Sequence, residues 1–352
     1  MAPESIVDRL TRLIAARGPI PVHEYVDEAL YGSGGFYMAG GQAGRRGDFL
    51  TAPEVGPLFG AVVARAVDTW WREMGAPSPF TVLEWGAGPG TLARAVLAAT
   101  PDVLSSGALR WVMVERTPAQ RAQHLVHEQF DSVGPDDVPL VEAGVVLANE
   151  LLDNLGFDIF ERGIDGWAEI RVDVADRRFV ERRGSEQPVD DMPTEGVAVG
   201  ARVPRQRLAR AWLGDARGMI ERGRVVVFDY GGTTAELAAR DGAWLRTHAE
   251  HSASIDWLTA PGSCDITTDV DMDQLQLDHP ADRHDTQAEW LRRFGIDDLV
   301  EEGREIWARR ASIGDLAALT ARSRIREAEA LTDPEGMGGF RVLEWVVAAD
   351  AP

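Results

Sequence analysis

Four short apolar runs punctuate the first two thirds of the chain: Phe80-Thr81-Val82-Leu83, Trp111-Val112-Met113-Val114, Val145-Val146-Leu147-Ala148 and Val225-Val226-Val227-Phe228. Runs of this length without polar alternation fit strands buried on both faces, as in parallel sheets. Between them the period changes. Leu58, Val62, Ala66 and Trp70 recur at helical spacing within Val55 to Met74, and helical patterns also cover Pro118 to Phe130 and Arg205 to Arg222. Strand alternating with helix predicts an α/β fold, a Rossmann-like doubly wound sheet with helices on both faces. Residues 4 to 31 read as two short helices parted by Gly18-Pro19, and Gly32 to Pro57 as a long ordered loop. Trp167 to Val174 alternates like a half-exposed strand, and Ala175 to Thr194 as an inserted hairpin and surface loop. Helical patterns around Trp290, Leu299 and Leu316 precede Phe340 to Val347, a candidate last strand of the sheet. The expected division is an N-terminal helical lid over 1–75, a core over 76–235 with its insertion around 157–200, and a C-terminal helical region over 236–352.

Charge narrows the chemistry. Thirty-six basic against 57 acidic residues give a net charge of −21, which repels phosphate backbones and argues against a nucleic-acid partner. A basic partner fits better. Every basic side chain among Lys and Arg is arginine, so neither Schiff-base chemistry nor the lysine of a Walker A loop is available. The one cysteine, Cys264, forms no internal disulfide, no Cys/His cluster has metal-ligand spacing, and no apolar stretch has the length of a membrane span. These features lead to the expectation of a cytoplasmic protein with no metal and no membrane partner.

The candidate chemistry centres on Val82-Leu83-Glu84-Trp85-Gly86-Ala87-Gly88-Pro89-Gly90-Thr91-Leu92, a strand running through closely spaced glycines into a helix. Glycines let a ligand approach the backbone, and the helix start offers free N–H groups. A dinucleotide fingerprint requires its third glycine at position 91, where this chain has Thr91. The spacing therefore favours an S-adenosylmethionine site over a nicotinamide site, with Glu84 near the cationic methionine end. Glu115 ends the next strand about 25 residues after Gly90, where an acid accepts hydrogen bonds from ribose hydroxyls.

At this point the sequence resembles the MidA family of class I methyltransferases over nearly its whole length. The matching runs are Tyr25-Val26-Asp27-Glu28-Ala29-Leu30-Tyr31, Gly35-Phe36-Tyr37, Gly47-Asp48-Phe49-Leu50-Thr51-Ala52-Pro53-Glu54, Glu115-Arg116-Thr117-Pro118, Asn149-Glu150-Leu151-Leu152-Asp153, Asp229-Tyr230-Gly231, His251 and Asp265-Ile266-Thr267. All four tyrosines lie in such runs. The resemblance implies S-adenosyl-L-methionine as methyl donor, S-adenosyl-L-homocysteine as product, and a protein arginine as acceptor. It also implies that Asp48, Thr51 and Glu54 fold over a donor site made of Glu84, Gly86, Ala87, Gly88, Gly90, Thr91, Glu115, Arg116 and Asn149. One departure lies near the acceptor side: the family continues Asp-Ala-Leu-Pro where this chain has Asp153-Asn154-Leu155-Gly156.

A guanidinium carries five N–H donors and is oriented best by carboxylates. Glu150 and Asp153, after the strand ending at Ala148, are the candidates for that task, with Asn149 adding an acceptor and His251 a proton-accepting imidazole. Structural readings stand beside these: Asn149 and Asp153 as caps, Thr51 and Glu54 as a helix start, His251 as a satisfied histidine. Three functions stay open: a protein-arginine methyltransferase, a methyltransferase for a small molecule or peptide, and a donor-binding assembly chaperone. A homodimer is compatible with the pattern but not required by it.

Overall fold

The computed structural model describes residues 4–38, 50–248 and 256–348. The apolar runs form the middle of a seven-stranded sheet whose order is Arg283–Thr286, Arg341–Val347, Ile220–Asp229, Val141–Asn149, Phe80–Trp85, Leu109–Val114, Phe130–Val133. The last five of these run parallel. Arg341–Val347 returns antiparallel, with Leu343 opposite Val227. Alternate side chains leave opposite faces of each strand. Val145, Leu147, Val226 and Phe228 pack on one face with helices Pro57–Glu73, Thr91–Ala99 and Gln287–Arg293. Val146, Ala148, Val225 and Val227 pack on the other with helix Arg207–Gly218. Both faces being covered explains why these strands read as continuous apolar runs.

A second, antiparallel sheet joins Ile20–Pro21, Asp158–Arg162, Trp167–Ala175, Arg178–Gln187 and Arg202–Arg205. The insertion is thus more than the expected hairpin and loop. Its apolar face meets the N-terminal helices Ile6–Arg17 and Val22–Tyr31, so that Leu10, Ile14, Tyr25 and Leu30 share one core with Phe157, Ile159, Ile170 and Val172. Gly18, at φ +78°, makes the turn between those two helices.

One helix is corrected. Pro118 to Phe130 holds only a single turn, Pro118–Arg121, and then enters a short strand, Phe130–Val133. His124 is drawn out of helical register, its ring lying 2.7 Å from Ser132 Oγ and 2.8 Å from the Gly88 carbonyl. Exposed Asp131 and Ser132 disguise an edge strand that pairs on one side only.

The first strand, Phe80–Trp85, has its successors Leu109–Val114 and Phe130–Val133 on one side and Val141–Asn149 on the other. Strand order therefore reverses at Phe80–Trp85. In open parallel sheets ligands bind beyond the carboxyl ends of the strands at this reversal.

Candidate active site

A cleft of about 680 Å³ opens at that point, lined by Glu84 to Pro89, Thr91, Leu92, Val114 to Thr117 and Asn149 to Leu151 among others. Gly86, Gly88 and Gly90 take φ of +67°, +53° and +79°. The left-handed region is disfavoured for any side chain, which accounts for glycine at all three. A Cβ on Gly88 would meet no heavy atom within 4 Å, so the space beside this backbone belongs to the cleft. A Cβ on Gly90 would instead press on Met113 Sδ at 3.1 Å, and Gly90 supports the loop rather than lining the cleft.

Two acids flank the loop. Glu84, only 5% exposed, accepts a hydrogen bond from Trp111 Nε1 at 2.6 Å, and burial pushes its carboxyl up to about 8. A cation beside it restores the charged form, which suits an ammonium ligand. Glu115 accepts from the Gly88 N–H at 3.0 Å and the Thr117 N–H at 2.7 Å. Beyond it, Thr117, Gln120 and the Gly134-to-Asp137 turn extend the cleft across the ends of the strands. The N-terminal segment closes over the loop, where the Thr91 hydroxyl donates to Glu54 at 2.5 Å and Thr51 and Glu54 both face the cleft.

Opposite lies a more acidic half. Glu150 sits at φ +50°, a strained conformation for a side-chain-bearing residue, with its N–H held by the Phe228 carbonyl at 2.8 Å. Its carboxylate accepts from the Ala52 N–H at 2.9 Å and Asn149 Nδ2 at 3.2 Å, and burial raises it to about 8. Asn149 Oδ1 is buried with no hydrogen-bond partner among the described residues, and Asn149 lines the cleft. An orphaned acceptor at that depth calls for a donor from a ligand.

Asp153 does not reach the cleft wall. It is buried and accepts a 2.5 Å hydrogen bond from the Tyr230 hydroxyl, with burial raising its carboxyl above the usual range. Beside it Asp229, fully buried, accepts from the Leu152 and Tyr230 N–H groups at 2.9 and 3.0 Å and is raised further. Asp48 and His251 lie outside the described residues. Arg116 lines the cleft and stacks over Tyr31 at 4.2 Å from the ring centroid. Tyr31, Tyr37, Thr117, Gln120, Asn154, Leu155 and Trp212 also line it, none of them singled out as site residues from the sequence. The signal was present for the two tyrosines, since a chain with four tyrosines keeps each of them inside a family-like run.

The sequence model of a family described as "Putative S-adenosyl-L-methionine-dependent methyltransferase" matches residues 62–287. The chain belongs to this methyltransferase family. Its relatives include the "Protein arginine methyltransferase NDUFAF7 homolog, mitochondrial" of Drosophila melanogaster, 31% identical over 76% of this chain and 68% of that protein. The zebrafish, Danio rerio, protein arginine methyltransferase NDUFAF7 is 26% identical over 85% and 78%. Among solved structures, a COG1565 superfamily member from Burkholderia thailandensis, bound to S-adenosyl-homocysteine, superposes with a TM-score of 0.81 at 27% identity, covering 98% of this chain and 92% of that one. The MidA resemblance and the S-adenosylmethionine-dependent activity are borne out. The expected cytoplasmic location is overturned by these relatives, which are mitochondrial proteins by name. The methyltransferase's cleft fits its donor on independent grounds: open space at Gly88, a buried acid for an ammonium in Glu84, a strand-end acid for ribose in Glu115 and an unpaired acceptor on Asn149.

Proposed function

We propose that this enzyme methylates an arginine side chain of a basic protein acceptor, with Glu84, Gly86, Ala87, Gly88, Thr91, Glu115, Arg116 and Asn149 holding the donor and Glu150 orienting the guanidinium. The observation that carries the reading is Glu150, a half-buried carboxylate that lines the cleft beside the donor loop. The relatives' names, protein arginine methyltransferase, support it from outside.

Bound S-adenosylmethionine supplies an electrophilic methyl carbon on a sulfonium. Transfer forms one N–C bond, breaks one S–C bond and releases one proton from the acceptor nitrogen. The protein's work is to align the nitrogen, exclude water and receive that proton. Glu150 accepts guanidinium N–H groups as a carboxylate, and its desolvated carboxyl, raised to about 8, suits it to take the proton that the acceptor nitrogen gives up as the methyl arrives, the methylated guanidinium keeping its charge and the donor sulfur losing its own. The strained backbone at Glu150 holds its carboxylate at the cleft wall. Asp153 acts at one remove through Tyr230. Thr51 and Glu54 close the donor half, and the N-terminal helices share a second core with the antiparallel sheet inserted within 76–235. The charge of −21 favours a cationic protein over a nucleic acid.

The test is transfer of tritiated methyl from S-adenosylmethionine to lysate protein, followed by acid hydrolysis and chromatography of the amino acids. Label in methylated arginine is the expected result. Label in another amino acid, or in small molecules alone, overturns the reading.

A further inference from the structure

Three side chains far apart in sequence meet behind the aromatic wall of the cleft. Tyr37 and Asn154 both line it. The Tyr37 hydroxyl lies 3.0 Å from Asn154 Oδ1 and 3.0 Å from Asp265 Oδ2, and Asn154 Nδ2 donates to Asp265 Oδ1 at 3.2 Å. Asp265 begins the strand Asp265–Thr268 and is fully buried, away from the cleft surface. Burial and the like charge of Asp153 both work against its ionisation and raise it to about 8. A carboxyl placed at such cost needs a purpose, and its contacts indicate one: it grips the two cleft-lining residues, Tyr37 and Asn154, from behind.

The wall continues from Tyr37 through two further contacts. Tyr37 stacks on Tyr31 with ring centroids 5.4 Å apart and planes 15° from parallel. Tyr31 in turn carries the Arg116 guanidinium, next to the ribose-binding acid Glu115. One end of the wall thus stands at the donor half and the other, where Asn154 follows Asp153, at the acceptor half. Tyrosine faces attract guanidinium groups, and Arg116 shows that this pair presents a face of the right kind.

We propose that Asp265 is a positioning residue for methyl transfer: by fixing Tyr37 and Asn154 it sets the wall against which the acceptor side chain lies in line with the donor. This rests on the arginine reading above. Without the Tyr37 hydroxyl contacts the ring is held only by its packing on Tyr31 and Phe36, and Asn154 loses partners that orient its amide. In-line displacement is intolerant of such misplacement, while donor contacts through Gly88, Glu84 and Glu115 are untouched. The device is therefore specific to the acceptor half.

The experiment compares wild type with Tyr37→Phe, Asn154→Ala, Asp265→Asn and the Tyr37→Phe/Asp265→Asn double variant. Three readouts are taken: tritium transfer to lysate protein as a function of its concentration, calorimetric affinity for S-adenosylhomocysteine, and melting temperature. Tyr37→Phe and Asp265→Asn are each expected to lower methyl transfer about tenfold through kcat or acceptor KM, with donor affinity within about twofold of wild type. The double variant should be no slower than the slower single, because both changes release one wall. Wild-type transfer by Tyr37→Phe and Asp265→Asn would overturn the proposal. So would parallel losses of donor affinity and melting temperature, which are the mark of a purely structural buried group. Tyr37→Phe removes one oxygen and keeps the ring, so it decides the matter even if Asp265 variants fold poorly. Wild-type label on an amino acid other than arginine would sink the arginine reading alone, and the same variants are then compared on that labelled product.

Discussion

In the half of the cleft proposed for the donor, most contacts come from one turn of backbone and a few side chains close in sequence, Glu84 to Thr91 and Glu115 to Thr117, with Thr51, Glu54 and Asn149 added from elsewhere. In the half proposed for the acceptor they come from Tyr37, Ala52, Glu150 to Asn154, Tyr230 and Asp265, which only the folded chain brings together. The chemistry differs as sharply. The half proposed for the donor is built on glycine conformations that exclude side chains, and one of its acids, Glu84, is raised to about 8 by burial. The half proposed for the acceptor gathers the half-buried Glu150 and the buried Asp153, Asp229 and Asp265, all raised above their ordinary values by desolvation. A shared donor needs an unchanging cradle, whereas acceptor recognition is assembled from elements that can vary separately.

The comparison is broken most strongly at Glu150. Glu150→Gln keeps an oxygen for the Ala52 N–H but removes the base, and kcat should fall about 10²- to 10³-fold, in the range of general-base losses, with donor affinity unchanged. An equal fall in donor affinity would show that the two halves are not separable. Gly88→Val acts on the other side. It forces a β-branched residue to φ +53° and places its methyls in the cleft, so donor affinity should drop at least about 100-fold in calorimetry while the fold persists by circular dichroism.

A smaller effect sharpens the electrostatic side. Glu84, Glu150 and Asp265 are raised from 4.5, 4.5 and 3.8 to about 8, so the folded state holds their protons more tightly than the unfolded chain. Their stabilising contribution is complete below the unfolded values and is lost as pH rises through about 8. The donor-free enzyme should melt a few degrees lower at pH 9 than at pH 6, at roughly 2 °C per kcal/mol in a chain of this size. Saturating S-adenosylmethionine should shrink that difference by compensating Glu84. A melting temperature that rises across this range would contradict the assignment of these acids as protonated.

The glycine turn and its two acids were legible in the sequence as neighbours because their signal is local: glycine spacing, the acid before it and the acid at the next strand end. The parallel strands were legible for the same reason, each being a continuous apolar run. Phe130–Val133 was not, since two of its four residues are polar and exposed on an edge. Asp153 was expected beside Glu150 at the acceptor, but the left-handed turn at Glu150 and the 3₁₀ turn Leu152–Asn154 send it inward to Tyr230. Nothing local marks the bond from Tyr37 to Asp265, 228 residues apart. The five-stranded sheet was hidden likewise, because Arg202–Arg205 lies just beyond the insertion and Ile20–Pro21 comes from the N-terminal segment.

The most direct test of the central claim is calorimetric titration of S-adenosylhomocysteine into wild type, Glu115→Ala and Glu150→Gln. The account predicts saturable binding by wild type, a loss of about 1–3 kcal/mol in Glu115→Ala as hydrogen bonds to the strand-end acid disappear, and wild-type affinity in Glu150→Gln. Binding that ignores Glu115, or that fails with Glu150, would contradict the division of the cleft into a donor half and an acceptor half.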